Sequence, residues 1–243
     1  MAEIEIKNLT IEQGDFKLRC DKLSINKEEK VAILGENGSG KTTLLLAISG
    51  NIPVKNGSVY LCSKPVSYYK GKEKAKMISF LPQFSDVLFN MDVFNAVLYG
   101  RYAQTESIFT MDDYKQTEHI ISAFDLEHLK TKGYHELSGG EKRRVMVAKT
   151  INQNAKIDIL DEPFANMDIK HSLHILKYLK ENKKTIIASV HDINLAIAFF
   201  DRIVILKKGK IIFNDKTDRI DKEIVDEAYE VDSNVCNARF LFV

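Results

Sequence analysis

The sequence predicts an α/β fold, with an N-terminal antiparallel β subdomain before its core and an α-helical subdomain inserted into it. Three observations predict it. Ile4, Ile6 and Leu9, then Phe16, Leu18, Leu23 and Ile25, alternate with polar residues on either side of a Gly14-Asp15 turn, the pattern of half-buried strands. Val31-Ala32-Ile33-Leu34 is a compact apolar run, followed by a glycine-rich stretch and a helical pattern, which is how an α/β domain opens. Strand patterns then stop near residue 84, give way to helical spacing as far as about residue 133, and return after it.

In chain order, the buried strand over 31–34 leads into a helix over 42–49 that ends near Gly50. A strand over 78–81 is closed by Pro82. Strands over 157–160, 185–190 and 203–206 each follow helical sequence, as parallel strands with crossover helices do. Gly209-Lys210 closes a strand turn, and the charged tail from about Lys216 carries a short helix near 224–229. One domain over 1–243 is expected: core in 1–83 and 149–215, helical subdomain in 84–148, C-terminal tail in 216–243.

Composition narrows the function. Lys plus Arg number 35 against 34 Asp plus Glu, so no charge excess draws the chain to nucleic acid or lipid. Three cysteines, Cys20, Cys62 and Cys236, are scattered and odd in number, which suits a reducing compartment and offers no metal-binding pair. The first residues alternate like a strand and lack a signal peptide's apolar core. No apolar run of about 18 residues occurs, so no transmembrane helix is expected and membrane work would pass through a partner.

Three segments carry chemistry. Gly35-Glu36-Asn37-Gly38-Ser39-Gly40-Lys41-Thr42 fits GxxxxGK[ST], the P-loop or Walker A pattern. Its glycines let backbone N–H groups converge on phosphate oxygens, and the next helix adds its positive end. Lys41 reaches the β- and γ-phosphates and the Thr42 hydroxyl helps hold Mg²⁺. Gly35, Asn37, Gly38, Ser39, Gly40, Lys41, Thr42 and Thr43 are therefore candidate nucleotide ligands in a P-loop NTPase core. Leu137-Ser138-Gly139-Gly140-Glu141 reads first as a helix start, with Ser138 as N-cap and Glu141 completing a capping box. Ile157-Asp158-Ile159-Leu160-Asp161-Glu162-Pro163 is an apolar strand ending in two carboxylates, placed to serve Mg²⁺ (Asp161) and the attacking water (Glu162).

Taken together, the chain resembles an ABC-type ATPase over nearly its whole length. LSGGE matches that family's signature and ILDEP its Walker B segment; Phe80-Leu81-Pro82-Gln83 matches the Q-loop. Ala165-Asn166-Met167-Asp168 matches the D-loop and Ser189-Val190-His191-Asp192 the switch-histidine segment, all in the family's order. The resemblance implies two cassettes, a homodimer or a paired subunit, packed head to tail around two ATP molecules beneath transmembrane permease subunits. An extracytoplasmic binding protein would deliver substrate to the permease, and the chain would sit at the cytoplasmic face of the membrane. It implies that Ser138, Gly139 and Gly140 bind the γ-phosphate held by the partner's P-loop. Asp161, Thr42 and Gln83 would serve Mg²⁺, with Gln83 also linking the γ-phosphate to the helical subdomain. Glu162 would act on the attacking water, His191 would contact the γ-phosphate, and Asp168 would lie at the dimer interface.

Some residues depart from the family. Gln13 stands where an adenine-stacking aromatic is usual. Phe16 fits either that role or a core strand, and the core reading is preferred. Glu28 replaces a turn glycine before the P-loop strand. Asp158 interrupts an apolar strand and needs a wet strand end or a partner. His119, His128, His135 and His174 read as surface or packing residues, and His171 with His174 makes no metal site.

Val97-Leu98-Tyr99-Gly100-Arg101, Met167-Asp168-Ile169-Lys170-His171 and His191-Asp192-Ile193-Asn194-Leu195-Ala196 resemble segments of iron-siderophore, haem and cobalamin importer ATPases. Ser172 replaces their Gln, and their Pro after Gly-Arg is absent. An exporter or a zinc/manganese importer ATPase is the near alternative. ABC ATPases of DNA repair or ribosomes fit less well, since the chain has one cassette, no sustained heptads and no Cys pairs. Val87, Leu88, Phe89, Val93, Phe94 and Val97 exceed what a small helical subdomain needs for its own core, and some of them are expected to form an exposed groove for a permease helix.

Overall fold

The computed structural model describes residues 2–55, 57–84, 91–106, 108–230, 233–236 and 239–242, the last two segments by backbone alone. In chain order the elements are β1 (Ala2–Gln13), β2 (Phe16–Asn26), β3 (Lys30–Leu34), α1 (Lys41–Ile48), β4 (Val59–Leu61), β5 (Lys64–Pro65), α2 (Gly71–Met77) and β6 (Ile78–Leu81). There follow α3 (Val93–Leu98), α4 (Met111–Ala123), α5 (Gly139–Asn152), β7 (Ile157–Leu160) and α6 (Ile169–Glu181). The last are β8 (Thr185–Ser189), α7 (Ile193–Phe199), β9 (Arg202–Lys207), β10 (Lys210–Lys216), α8 (Lys222–Tyr229), β11 (Ser233–Cys236) and β12 (Arg239–Phe242). They form two compact units, Met1–Tyr68 with Lys184–Val243, and Tyr69–Lys183.

In the first unit the strands run in the order β5-β4-β1-β2-β10-β9-β3-β8. The β1–β2 hairpin pairs Ile4 with Ile25, Ile6 with Leu23 and Leu9 with Cys20, so one face carries the apolar set, and all six are buried. The hairpin turns at Gly14, with Gln13 opposite Phe16. β3 is buried along its whole length, parallel to β8 on one side and β9 on the other, which is why its sequence is a continuous apolar run. Its entry is pinned: the Lys30 N–H donates to Asp201 Oδ2 at 2.9 Å, and the Glu28 N–H donates to Thr185 Oγ1 at 2.8 Å. Glu28 itself is left-handed, φ +64°, at the position where the sequence already lacks the usual turn glycine.

In the second unit β6 and β7 pair in parallel, bringing Ser79 opposite Asp158. Asp158 is fully buried and accepts a 2.5 Å hydrogen bond from the Ser79 hydroxyl, so it has a partner and is not at a wet strand end. Helices α3, α4 and α5 pack around buried Phe124, Ile120 and Tyr134. Arg101, just past α3, donates to buried Asp113 at 2.8 Å, and Asn152 donates to the Val97 carbonyl and the Thr117 hydroxyl. Of the six residues named for a groove, Val93, Phe94 and Val97 are described. Val93 and Val97 are fully buried in this helical core, and Phe94 is half-buried against Tyr114, because a subdomain of short helices uses its largest apolar residues to fill itself. Val87, Leu88 and Phe89 lie outside the described residues.

Glu28→Gly is expected to stabilise the chain. A left-handed non-glycine residue costs roughly 1–2 kcal/mol. Glycine's extra freedom in the unfolded chain takes back roughly 0.5–1 kcal/mol. The N–H bond to Thr185 is kept, so urea unfolding should show a net gain of about 0.5–1 kcal/mol. A loss of stability would mean that the turn is not strained.

Candidate functional site

The P-loop begins where β3 ends. Gly35 has φ +137°, and a Cβ there would lie 2.1 Å from the Leu206 carbonyl oxygen, so only glycine fits. The chain then turns through exposed Asn37 and Gly38 and enters α1 at Lys41, with Thr42 and Thr43 half-buried in its first turn. No side chain caps α1, and its first turn carries no acid. Its N-terminal N–H groups therefore remain available to an anion. Buried Lys41 folds back over the loop and donates to the carbonyls of Gly35 at 2.7 Å and Glu36 at 2.9 Å. Ser39 is 4% exposed and its hydroxyl has no hydrogen-bond partner. An unmet buried hydroxyl costs about 1–3 kcal/mol, which a phosphate oxygen in the loop would relieve. These residues fit a triphosphate.

Phe16 is placed differently from the preferred core reading. It is half-buried, and a Cβ on Gly40 would lie 2.9 Å from its ring. With Gly38, Asp15, Lys17, Arg19, Lys208 and Lys210 it lines an open cavity of about 600 Å³ beside the loop, where four cations outnumber one acid. An aromatic wall with a basic rim suits a purine and its phosphates. The charged tail also reaches the loop. Tyr229, the last residue of α8, is so buried that its phenol is pushed up to about 12, although a hydrogen bond with the Gly35 backbone pulls the other way. His191 is exposed just past β8, next to Asp192, whose carboxylate caps α7 by accepting from Asn194 N at 2.8 Å and Leu195 N at 3.2 Å.

The remaining site residues belong to the second unit. Asp161 is fully buried after β7, its N–H bonded to the Leu81 carbonyl at 2.9 Å. Glu162 follows in a left-handed conformation, φ +49°. Gln83, half-buried two residues past β6, lines a cavity of about 670 Å³ with Glu162, Gly139, Tyr134 and Arg143. Arg143 went unnoticed in the sequence, where a second basic residue after LSGGE reads as solvated helix surface; it is 8% exposed here.

The signature is a helix start with its capping box formed. The Ser138 N–H and hydroxyl both donate to Glu141 Oε2, at 2.8 and 2.7 Å. Those hydrogen bonds hold the Glu141 carboxyl below its usual range. To donate to a phosphate, Ser138 must turn its one hydroxyl proton away from Glu141. Gly140 is required by close approach: a Cβ would lie 2.5 Å from the Asn166 carbonyl oxygen. Ser138, Gly140, Arg144, Asn166 and Asp168 line a second cavity of about 570 Å³. Asp168 caps α6, accepting from His171 N at 2.9 Å and meeting its Nδ1 at 2.7 Å.

For Mg²⁺, Thr42, Gln83 and Asp161 offer hard oxygen donors. Mg²⁺ commonly takes one or two carboxylates with substrate phosphates and water, so a full protein cage is not needed. Among the described residues no three His, Cys, Asp or Glu side chains form a cluster able to hold a metal. The sequence-derived residues thus fall into two groups: 35–43 with His191 in the first unit, and Gln83, 138–140, Asp161 and Glu162 in the second.

The ABC transporter family model matches residues 18–165. The petrobactin import ATP-binding protein YclP of Bacillus subtilis is 32% identical, over 94% of this chain and 93% of that protein. The manganese transport system ATP-binding protein MntB of Listeria monocytogenes is 34% identical, over 93% of this chain and 95% of that one. The ATP-binding cassette MJ0796, solved as a dimer in a post-hydrolysis state with ADP and Pi, superposes with a TM-score of 0.75 at 26% identity, over 88% of this chain and 98% of that one. A P-loop with an open helix, a capped signature helix and a carboxylate pair at a strand end, all within the matched span, make this chain a member of the ABC transporter family, an ATP-binding and ATP-hydrolysing subunit.

Proposed function

We propose that this subunit works as a pair of cassettes and drives a separate membrane permease that imports a metal chelate. One observation carries the pairing: the chain offers two helix starts suited to phosphate, the open one at Lys41 and the signature one at Ser138. In a head-to-tail pair each ATP would meet the P-loop of one copy and the signature of the other. No helix among the described residues is long and apolar enough to cross a membrane. The permease, reached from the cytoplasmic face, would therefore supply the passage, with an extracytoplasmic binding protein feeding it. Importer-like segments at Val97–Arg101 and His191–Ala196 and the likeness to the petrobactin protein support a ferric chelate. The likeness to MntB supports manganese as the second reading.

Lys41 and the loop N–H groups hold the phosphates, and Phe16 stacks the base. Thr42, Asp161 and Gln83 would hold Mg²⁺, which would supply charge neutralisation at the phosphates. Glu162 takes or orients the proton of the attacking water, and His191 holds the γ-phosphate in line. Catalysis is then positioning and charge stabilisation.

Reconstituted with its permease and binding protein, the subunit should hydrolyse ATP faster when a ferric siderophore is added. Stimulation by Mn²⁺ and not by the siderophore would move the assignment to the second reading. Pairing is tested by mixing variants. Lys41→Ala should lose about 3 kcal/mol of transition-state stabilisation. Ser138→Arg should leave its own P-loop intact but block the partner's γ-phosphate. Mixed, they form one composite site with both wild-type residues, so ATP-dependent association should return; no recovery by light scattering would count against the paired arrangement. Phe16→Ala should raise the ATP KM about tenfold, as loss of one stacking contact of about 1–1.5 kcal/mol requires. An unchanged KM would return Phe16 to the packing role.

A further inference from the structure

We infer that Arg143 is a positioning residue for hydrolysis, which fixes the backbone of the Q-loop and of the Asp161-Glu162 pair in one frame. The inference rests on Glu162 being the carboxylate that serves the attacking water.

The guanidinium is a planar fork of N–H donors, and here it spends them on main-chain carbonyls. Its first terminal nitrogen donates to Pro82 O at 2.9 Å and Gln83 O at 3.1 Å. Its second donates to Glu162 O at 2.9 Å and to Asp161 O. Nε donates to Glu162 O at 3.2 Å. One side chain on α5 thus joins the exit of β6 to the exit of β7, and both exits lead directly into site residues.

The choice of carbonyls matters. A carboxylate partner would neutralise Arg143 but would take Glu162 or Asp161 out of chemistry. Bonding to the peptide oxygens sets the peptide planes without drawing a carboxylate side chain onto Arg143. Glu162 needs such restraint, because its left-handed φ of +49° is unfavourable for a non-glycine residue and persists only where its surroundings impose it. Burial by itself disfavours the charge on Arg143, while the nearby Asp161 and Glu162 favour it. An arginine stays protonated in such a place where a lysine titrates more readily. The fork also reaches two separated strand exits at once, which a point-like ammonium does not.

The test is ATPase kinetics of the full chain, with thermal unfolding followed in parallel, for wild type, Arg143→Met, Arg143→Lys and Glu162→Gln. Arg143→Met should lower kcat about 100-fold, the scale of a 1 Å misplacement of catalytic groups. Its KM for ATP should stay within about threefold, because the P-loop groups that hold ATP are untouched. Arg143→Lys should recover kcat to within about tenfold of wild type, since an ammonium still holds some of the carbonyls. If Arg143→Met does not fold, Arg143→Lys carries the test by itself, with kcat several-fold down at unchanged KM and melting temperature. Wild-type kcat in Arg143→Met, a loss that only tracks the unfolded fraction, or a lysine variant no better than methionine would each overturn the role. Glu162→Gln separates the two assignments. If it is inactive while Arg143→Met is normal, only the Arg143 role fails. If Glu162→Gln turns over normally, the water role of Glu162 fails and the inference falls with it.

Discussion

The first N–H groups of any helix lack partners within the helix, and most helices of this chain meet that need with a side chain. Asp92 caps α3, Thr110 caps α4, Asp168 caps α6, Asp192 caps α7 and Asp221 caps α8. At α1 the preceding residue is Gly40, which offers no side chain, and no acid stands in the first turn. Giving up a cap forgoes about 1 kcal/mol. The buried, unpartnered Ser39 hydroxyl adds a similar deficit. Both deficits lie in the same loop, and one phosphate would meet both. ATP binding at this loop would then be partly the completion of an incomplete helix start.

The signature helix handles the same problem reversibly. Ser138 and Glu141 close a capping box, so α5 is stable before any nucleotide arrives, yet the bonds that close it are exposed. Glu141 is an anion already occupying a positive helix end, and a phosphate must compete with it or share the N–H groups. The two helix starts are thus unequal by construction: α1 has no anion of its own, while α5 already holds one.

Much of this was legible in the residues because the physics was local. The apolar run Val31 to Leu34 reads as a strand buried on both faces because no polar residue interrupts it, and β3 is that strand. The capping box at Ser138 needs only two residues three apart. Asp158 was flagged as needing a partner, but its identity, Ser79, depended on the parallel register of β6 and β7. β10 was missed because its residues, Lys210 to Lys216, are half-exposed and charged at both ends, so no clean alternation marks them. Phe16 was legible only in part, because alternation gives a side chain's face of a strand but not what stands across from it, here the loop at Gly40. The burial of Val93 and Val97 carried no mark in the sequence, because a count of apolar residues does not reveal which of them a helical core consumes. Arg143 carried no signal: a buried cation whose acceptors are all backbone carbonyls has no partner residue type to betray it.

Helix α5 ties these features together. Ser138 stands at its start and Arg143 five residues on, about 7.5 Å along the axis at 1.5 Å per residue. Over that length a hydrogen-bonded helix moves as one body. A phosphate that drew on Ser138 would therefore pull on a segment that also holds, through Arg143, the carbonyls of Pro82, Gln83, Asp161 and Glu162. Because Gln83 also opens the stretch leading to α3 and α4, the same fork stands where a change at the phosphate end and a change in the helical layer would meet. Coupling of this kind needs no relay of loose side chains, only a stiff element with different partners at its two ends and a small shift that both can feel. Arg143 spends its donors on several backbone carbonyls and on no carboxylate, which makes that joint firm without drawing an acidic side chain into it.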